Sequence, residues 1–431
     1  MTAPLLVLVG MLALTLLIRL PVGFGMLASG IAYLLFKGQD PGLAAEQVLN
    51  GLYNSYVMLA VPMFIFAAAV MNAGTVSERL FDFALALVGR MRGGLAHVNI
   101  VVSTIFSGMS GSAIADAAGP GIVSIRQMEK HGYTPEFSAA VTVASSTIGP
   151  IVPPSIPMIL YALVSSASVG ALFLGGVVPG LMMTIALMVA VAITARKRNF
   201  PRADPIAWRE YPRIFVRGFL PMTLPVVLLG GIYTGVFTPT EAAATAALHA
   251  LILAGLVYRS LSWHRLYEIV LESAKSSATV TIIVAAAFLV NYAFAAENVP
   301  VLLANFIDNL DLSQIKFLLL VNLILLVLGC FLDTAVMLLV LVPILIPTAR
   351  ALGVDMVHFG VVVVVNMMIG LATPPFGMLL FVINALTGIS MKKMIAEGWI
   401  FTLTLIVVLL LITLFPQLVL WLPQSMGYGV K

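Results

Sequence analysis

The chain has 431 residues, 61% of them hydrophobic and only 9% charged, with a mean hydropathy of +1.10. A soluble domain carries about 25% charged residues, so this chain cannot cover a water-facing surface and reads as a polytopic membrane protein. The net charge of +4 matches the Lys/Arg excess of cytoplasmic loops and argues against nucleic-acid binding, because the basic residues lie between spans. Cys330 is the single cysteine. It excludes an intrachain disulfide and a cysteine-rich metal site, and in its apolar run it reads as a small core residue.

In chain order, apolar spans are expected at 4–19, 22–36, 56–73, 170–195, 217–237, 239–259, 277–297 and 398–423. Several fall short of the ~20 residues of a straight crossing. The first 36 residues lack the basic start of a signal peptide, and apolar sequence resumes after Pro21. They read as spans, either two helices or one long helix kinked at Leu20-Pro21. Four further regions are interrupted. Residues 95–130 and 313–350 carry a polar or Gly-rich midpoint, and 135–167 and 355–387 each carry a break.

The breaks match. Ile148-Gly149-Pro150-Ile151-Val152-Pro153-Pro154 and Ile369-Gly370-Leu371-Ala372-Thr373-Pro374-Pro375 lie 221 residues apart (370 − 149 and 374 − 153), and Gly108 and Gly329 share that offset. A lipid-facing helix cannot leave backbone groups unpaired, so such breaks survive only inside protein or beside a cavity. Two in matching places are the sign of a secondary transporter.

Lys and Arg set the orientation. Arg196, Lys197, Arg198, Arg202, Arg209, Arg213 and Arg217, opposed only by Asp204 and Glu210, place the 196–217 loop in the cytoplasm. Arg259, Arg265, Lys275, Lys392 and Lys393 also mark the inside, as do Arg90, Arg92, Arg126 and Lys130, whereas Glu297, Asp308 and Asp311 mark the outside. Residues 95–130 then form a re-entrant hairpin that starts from the cytoplasm, and 313–350 one that starts from outside. Thr75-Val76 and Asn298-Val299 also correspond within two residues.

The expected fold is therefore an all-α polytopic membrane protein of two inverted-topology repeats, each with a re-entrant hairpin and a broken transmembrane helix. Residues 1–55 are N-terminal scaffold helices. Residues 56–195 are the first repeat, with an amphipathic arm at 76–90, the hairpin at 95–130 and the broken helix at 135–167. Residues 196–275 supply the basic loop and further scaffold helices. Residues 277–423 are the second repeat, with arm 300–310, hairpin 313–350 and broken helix 355–387. Both termini face outward.

A break frees carbonyls at the end of one half-helix and amides at the start of the next; carbonyls and hydroxyls suit Na⁺, and the amide end suits an anion. The first tip supplies Ser107, Gly108, Ser110, Gly111 and Ser112, opposite Ser145, Ser146 and Thr147 before Gly149. The second supplies Gly329, Asp333 and Thr334 at the tip, and Asn366, Gly370 and Thr373 at the break. Small and hydroxyl residues also let helices pack closely, but a tip-plus-break pattern that occurs twice favours ion binding. Intramembrane acids are costly and mark function. Asp333 is expected to ligate Na⁺ or carry a proton. Asp116 is expected to be structural, accepting backbone N–H bonds that hold the hairpin. No P-loop, nucleophile triad or metal-spaced His pair is present, so no enzyme and no ATP chemistry is expected. Trp208, Trp263, Trp399 and Trp421 lie near span ends, as in an aromatic belt.

The runs Ser110-Gly-Ser-Ala-Ile-Ala-Asp116, Ile148 through Ser155, Gly329-Cys-Phe-Leu-Asp333, Pro343-Ile-Leu-Ile-Pro347, Val357-His-Phe-Gly360 and Asn366 through Phe376 resemble the large membrane subunit (DctM-like) of TRAP transporters, tripartite ATP-independent periplasmic transporters, over essentially the whole chain. The resemblance implies Na⁺-driven uptake of organic acids such as C4-dicarboxylates or sialic acid across the bacterial inner membrane. It implies a periplasmic substrate-binding protein, a separate small four-helix membrane subunit, and an elevator motion of the hairpin-and-broken-helix core. Family Na⁺ positions fall on Ser110, Ser112, Gly149 and Val152; repeat symmetry adds Gly329, Asp333, Gly370 and Thr373. Ser107, Ser145, Pro153, Pro154, Asn366, Pro374 and Pro375 are candidate substrate contacts. The competing readings are a stand-alone sodium- or proton-coupled dicarboxylate carrier of the same build and, further off, a channel or membrane scaffold.

Overall fold

The structure is a computed structural model that describes residues 2–53, 55–73, 76–198, 200–201, 209–308 and 312–428; Thr75, Arg202, Asp204, Trp208 and Asp311 of the sequence reading lie outside them. The described residues form helices and no strand. Seven helices are long and apolar enough to cross a membrane, which makes the chain a multi-pass membrane protein.

The chain starts with α1 (Ala3–Leu17), α2 (Val22–Phe36) and α3 (Gly42–Tyr53). Arg19 turns the chain between the first two with φ +60°. The helices lie side by side: a Cβ at Gly25 would stand 2.7 Å from Thr15 Oγ1. Leu20-Pro21 is thus a turn between two helices. A short 3₁₀ turn, Tyr56–Leu59, leads to α4 (Ala60–Ala73), followed by the amphipathic α5 (Val76–Val88).

The first hairpin is α6 (Gly94–Ser110), a two-residue tip, α7 (Ala113–Asp116), a π turn (Ala117–Gly121) and α8 (Ile122–Lys130). Pro120 sits inside the π turn; lacking an N–H, it cannot complete the α pattern. The first broken helix is α9 (Pro135–Ser146) and α10 (Ile156–Ser165). Then come α11 (Val169–Arg198), α12 (Tyr211–Tyr233), α13 (Pro239–Leu251, continued by a π segment Ile252–Val257) and α14 (Trp263–Ala296). Pro239 at the helix start and a Thr238/Glu241 capping box set the beginning of α13. The 34 residues of α14 make about 51 Å at 1.5 Å per residue. It is much longer than the expected 277–297 because Ser262 caps a polar leading segment outside the apolar stretch.

The second half follows with α15 (Val299–Asp308), then α16 (Gln314–Gly329), a tip, α17 (Thr334–Val336), a π turn (Met337–Leu341) and α18 (Val342–Ala351). The second broken helix is α19 (Met356–Ala372) and α20 (Met378–Thr387); α21 (Met391–Leu414) and α22 (Gln417–Ser425) close the chain. Pro416 ends the last long apolar run, so 398–423 is two helices.

Two packing relations position the site. Within each half, the leading hairpin limb packs on the leading broken-helix limb, α6 on α9 and α16 on α19. Between halves the trailing limbs are exchanged: α10 lies on the second hairpin, and α20 lies on the first. Tyr161 of α10 fills the space over Gly360 of α19, where a Cβ would meet its ring at 2.3 Å, and Tyr161 Oη donates to the Met356 carbonyl at 2.7 Å. Arg350 at the end of the second hairpin donates to the Ser165 carbonyl at 2.6 Å, closing the C-terminus of α10. Around this core, α13 packs on α4, α14 on α2, α3 and α4, and α12 on α5.

Candidate functional site

In the first half, α6 ends at Ser110 and the chain turns at Gly111 with φ +58°. Ser112 is extended, and its Oγ accepts the Ala115 N–H at 3.3 Å as the cap of the trailing limb. α9 ends at Ser146, and Thr147 through Ser155 are unwound. The tip rests on this unwound strand. A Cβ at Gly149 would lie 3.3 Å from the Ser112 carbonyl, and one at Gly111 would lie 2.4 Å from the Pro154 carbonyl. Only backbone fits at both contacts. Val152 directs its side chain to α11, where it meets Gly180, which leaves its backbone to the break. Ser155 restarts the helix, accepting the Met158 N–H at 3.2 Å and donating to the Pro150 carbonyl. Ser110 Oγ is buried without a hydrogen-bond partner, next in sequence to Gly111, which meets the Pro154 carbonyl of the break. A hydroxyl and free carbonyls are the donor set that Na⁺ takes. Ser107 Oγ donates to the Thr104 carbonyl at 2.5 Å within its own helix.

The second half has the same parts in a different arrangement. Gly370 lies in the last turn of α19, not in the break, which runs over Thr373–Gly377. Gly370 meets Gly329 directly: a Cβ on it would be 2.9 Å from the Gly329 Cα. Thr373 Oγ1 donates to the Ile369 carbonyl at 2.7 Å, and its oxygen stays at the break. Pro153 and Pro154 are buried, whereas Pro374 and Pro375 are exposed. Both Pro–Pro bonds are cis.

Asp333 caps the trailing limb of its hairpin, its Oδ1 accepting the Ala335 N–H at 2.9 Å. Asp116, expected to accept backbone N–H bonds, accepts none. It is fully buried, and the groups beside its carboxylate are the hydroxyls of Ser103 and Ser146, which donate to it. The reason is register: Ser112 already caps that limb, so Asp116 falls inside the helix, one turn on, facing α6 and α9.

Ser145 and Asn366 do not line the breaks. Ser145 lies in the last turn before the first break and Asn366 about two turns before the second, and both tie the broken helix to the hairpin. Ser103 Oγ donates to Ser145 Oγ at 3.0 Å; Asn366 Nδ2 donates to the Asn322 carbonyl at 2.8 Å and to its Oδ1 at 3.0 Å. Asn322 Nδ2 in turn donates to Thr413 Oγ1 at 2.8 Å, and Asn99 Nδ2 to Thr142 Oγ1 at 2.7 Å. Sequence reasoning missed Ser103, Asn99 and Asn322. Helical spacing holds the signal for the first two: Asn99, Ser103, Ser107 and Ser110 form one polar stripe on an apolar helix. A cavity of about 250 Å³ adjoins the second break, lined by Thr373, Pro374, Ala140, Ala144, Gly398 and Trp399. None of the residues lining it is cationic.

The family described as tripartite ATP-independent periplasmic transporter, DctM component, matches residues 9–418. The sialic acid TRAP transporter large permease protein SiaM of Vibrio cholerae is 41% identical over 95% of this chain and 96% of that protein. The C4-dicarboxylate TRAP transporter large permease protein DctM of Pseudomonas aeruginosa is 40% identical over 86% of this chain and 87% of that protein. Among solved structures, the Alcanivorax borkumensis YdaH transporter shares the fold with a TM-score of 0.63 at 14% identity, covering 89% of this chain and 88% of that one. The chain belongs to the DctM component family of the tripartite ATP-independent periplasmic transporters.

Proposed function

We propose that this chain is the large transport subunit of a sodium-coupled, binding-protein-dependent importer of a small organic acid, either a C4-dicarboxylate, a sialic acid or a similar carboxylate. The observation that carries the reading is the doubled constellation of a hairpin set backbone to backbone on a broken helix, at Gly149 in the first unwound stretch against Ser112 and at Gly370, in the helical turn before the second break, against Gly329. Free carbonyls, the Ser110, Ser112 and Thr373 hydroxyls and the Asp333 carboxylate would hold Na⁺ ions. Their positive charge and the amide starts of α10 and α20 would hold the carboxylate. Two relatives are named for carboxylates and as large permeases, and the family's own description is tripartite. Both support a separate small membrane subunit and a periplasmic substrate-binding protein as partners.

In this reading the hairpins and broken helices move as an elevator against α1–α4 and α12–α14, with α5 and α15 as the connecting arms, in a bacterial inner membrane with both termini periplasmic. Reconstitution into liposomes with both partners tests it. Uptake of the labelled acid is expected to need all three components and to collapse when the sodium gradient is removed. Uptake by this chain alone would establish the stand-alone carrier instead, and uptake driven by a pH gradient without sodium would establish proton coupling.

A further inference from the structure

We infer that Asn72 and Asn291 are matched positioning residues, polar catches by which the scaffold helices α4 and α14 each hold the π turn of one hairpin, and that transport closes one as it opens the other. This rests on the elevator reading and names contacts that the motion makes and breaks.

The two asparagines occupy matching places in the repeat. They lie 219 residues apart (291 − 72), and the π turns begin 220 apart (337 − 117), both within two of the common offset. Each asparagine stands near the end of a helix that leads into an arm, α4 into α5 and α14 into α15. Each reaches the third residue of its π turn. In the second half, Asn291 Nδ2 donates to the Leu339 carbonyl at 3.0 Å. In the first, Asn72 stands over Gly119, where a Cβ would lie 2.3 Å from Asn72 Oδ1.

The sequence creates the need for a donor. In an α-helix the Leu339 carbonyl would take the N–H four residues on, but that residue is Pro343, which has none. A carbonyl at membrane depth must be paired, and Asn291 supplies the donor from another helix. At Gly119 the missing side chain lets the Asn72 amide come up to the backbone.

The two halves differ in closure. Asn291 is bonded to its turn, whereas Asn72 lines a cavity of about 390 Å³ with Ser77, Glu78, Gly119, Val123 and Ser260. Ser260 follows Arg259, on the side that the charge pattern assigns to the cytoplasm. A hydrogen bond is lost within a shift of about 1 Å, so a sliding hairpin cannot keep it. The halves are inverted copies, so in the alternate state the first hairpin takes the relation to its scaffold helix that the second has here. Asn72 then donates to the Gly119 carbonyl, and Asn291 releases Leu339.

The test is the distance between spin labels at Arg126→Cys on α8 and Trp263→Cys on α14, both exposed positions. The full chain, carrying Cys330→Ser, is studied in liposomes with its small subunit. The media are potassium chloride, sodium chloride, and sodium chloride with succinate or a sialic acid. Wild type is expected to show two distances whose ratio changes between these media. Asn291→Ala is expected to lower the population with the second catch closed about fivefold relative to the other, the effect of one hydrogen bond. Asn72→Ala is expected to raise that population by a similar factor, and it decides the matter should Asn291→Ala fail to fold. Loss of packing alone would not shift the ratio in opposite directions. An unchanged ratio in both variants, or shifts of the same sign, overturns the catches and leaves the elevator standing. A single distance in wild type, the same in every medium, sinks the elevator reading and the catches with it.

Discussion

The two halves start from one pattern and end in different states. In the first, the unwound segment runs from Thr147 to Ser155 and is almost wholly buried; in the second it is confined to Thr373–Gly377, with Pro374, Pro375 and Phe376 exposed. The first tip is capped by a neutral hydroxyl and has a buried acid behind it. The second is capped by its acid and has an amide network, Asn366 to Asn322 to Thr413, behind it. A repeat therefore preserves where the backbone breaks, while the side chains around it decide how open the break is and where its charge sits.

The sharpest test of this contrast is a methyl group at each glycine. Gly370→Ala drives a Cβ against the Gly329 backbone, where nothing flexible can yield. It is expected to cost about 1–3 kcal/mol of stability and to abolish uptake. Gly149→Ala meets the Ser146 and Ser112 carbonyls at 3.1 and 3.3 Å, and should lower the thermal midpoint less. Equal losses would erase the distinction.

Next in size, Ser112→Ala removes a helix cap worth about 1 kcal/mol along with a proposed sodium ligand. Thr373→Ala removes a proposed ligand whose proton serves only its own helix. Both should raise the sodium concentration for half-maximal uptake; only the first should lower the melting temperature appreciably. Unchanged sodium activation in both variants removes them from the sites.

Asp333 offers a finer separation. Asn caps a helix as well as Asp does, so Asp333→Asn should fold like wild type, while Asp333→Ala should lose about 1 kcal/mol. Any loss of uptake shared by the two then measures the charge and not the cap.

The smallest effect lies outside the core. The Glu297 carboxylate accepts from Lys37, Thr2 and Tyr33 at the turn between α14 and the arm α15. The Lys37 ammonium, first, and then the two hydroxyls hold its pKa down to about 2. Its folded value is below the unfolded value of about 4.3, so its stabilisation is complete above that range and is lost as pH falls toward 2. Glu297→Gln should melt below wild type at pH 7, and the gap should close on acidification; a gap independent of pH would show that the charge contributes nothing.

Much of the architecture was legible because Gly and Pro act locally on the backbone. The turn at Leu20-Pro21, the hairpin tips and both breaks stand where those residues stand. The lengths were less legible. α14 runs past its apolar stretch because Ser262 caps a polar leading segment, and α11 because Arg196, Lys197 and Arg198 suit the last turn of a helix. The sequence placed Ser112, Gly149 and Thr373 at the tips and breaks where the structure has them. It did not show that Ser145 and Asn366 bond across to another helix, or that Asp333 and not Asp116 accepts a backbone N–H, because those bonds depend on which residue caps each hairpin.

By itself, the amino-acid order determined the class of protein, the number of interruptions and their equal spacing, since hydropathy and backbone chemistry are properties of short segments. Only the tertiary structure decided that α10 and α20 exchange hairpins, that Gly329 touches Gly370, and that Asp116 is sealed beside the Ser103 and Ser146 hydroxyls. Those facts arise from contacts between different helices, the α20 contacts between residues roughly 250 positions apart, which no local pattern encodes.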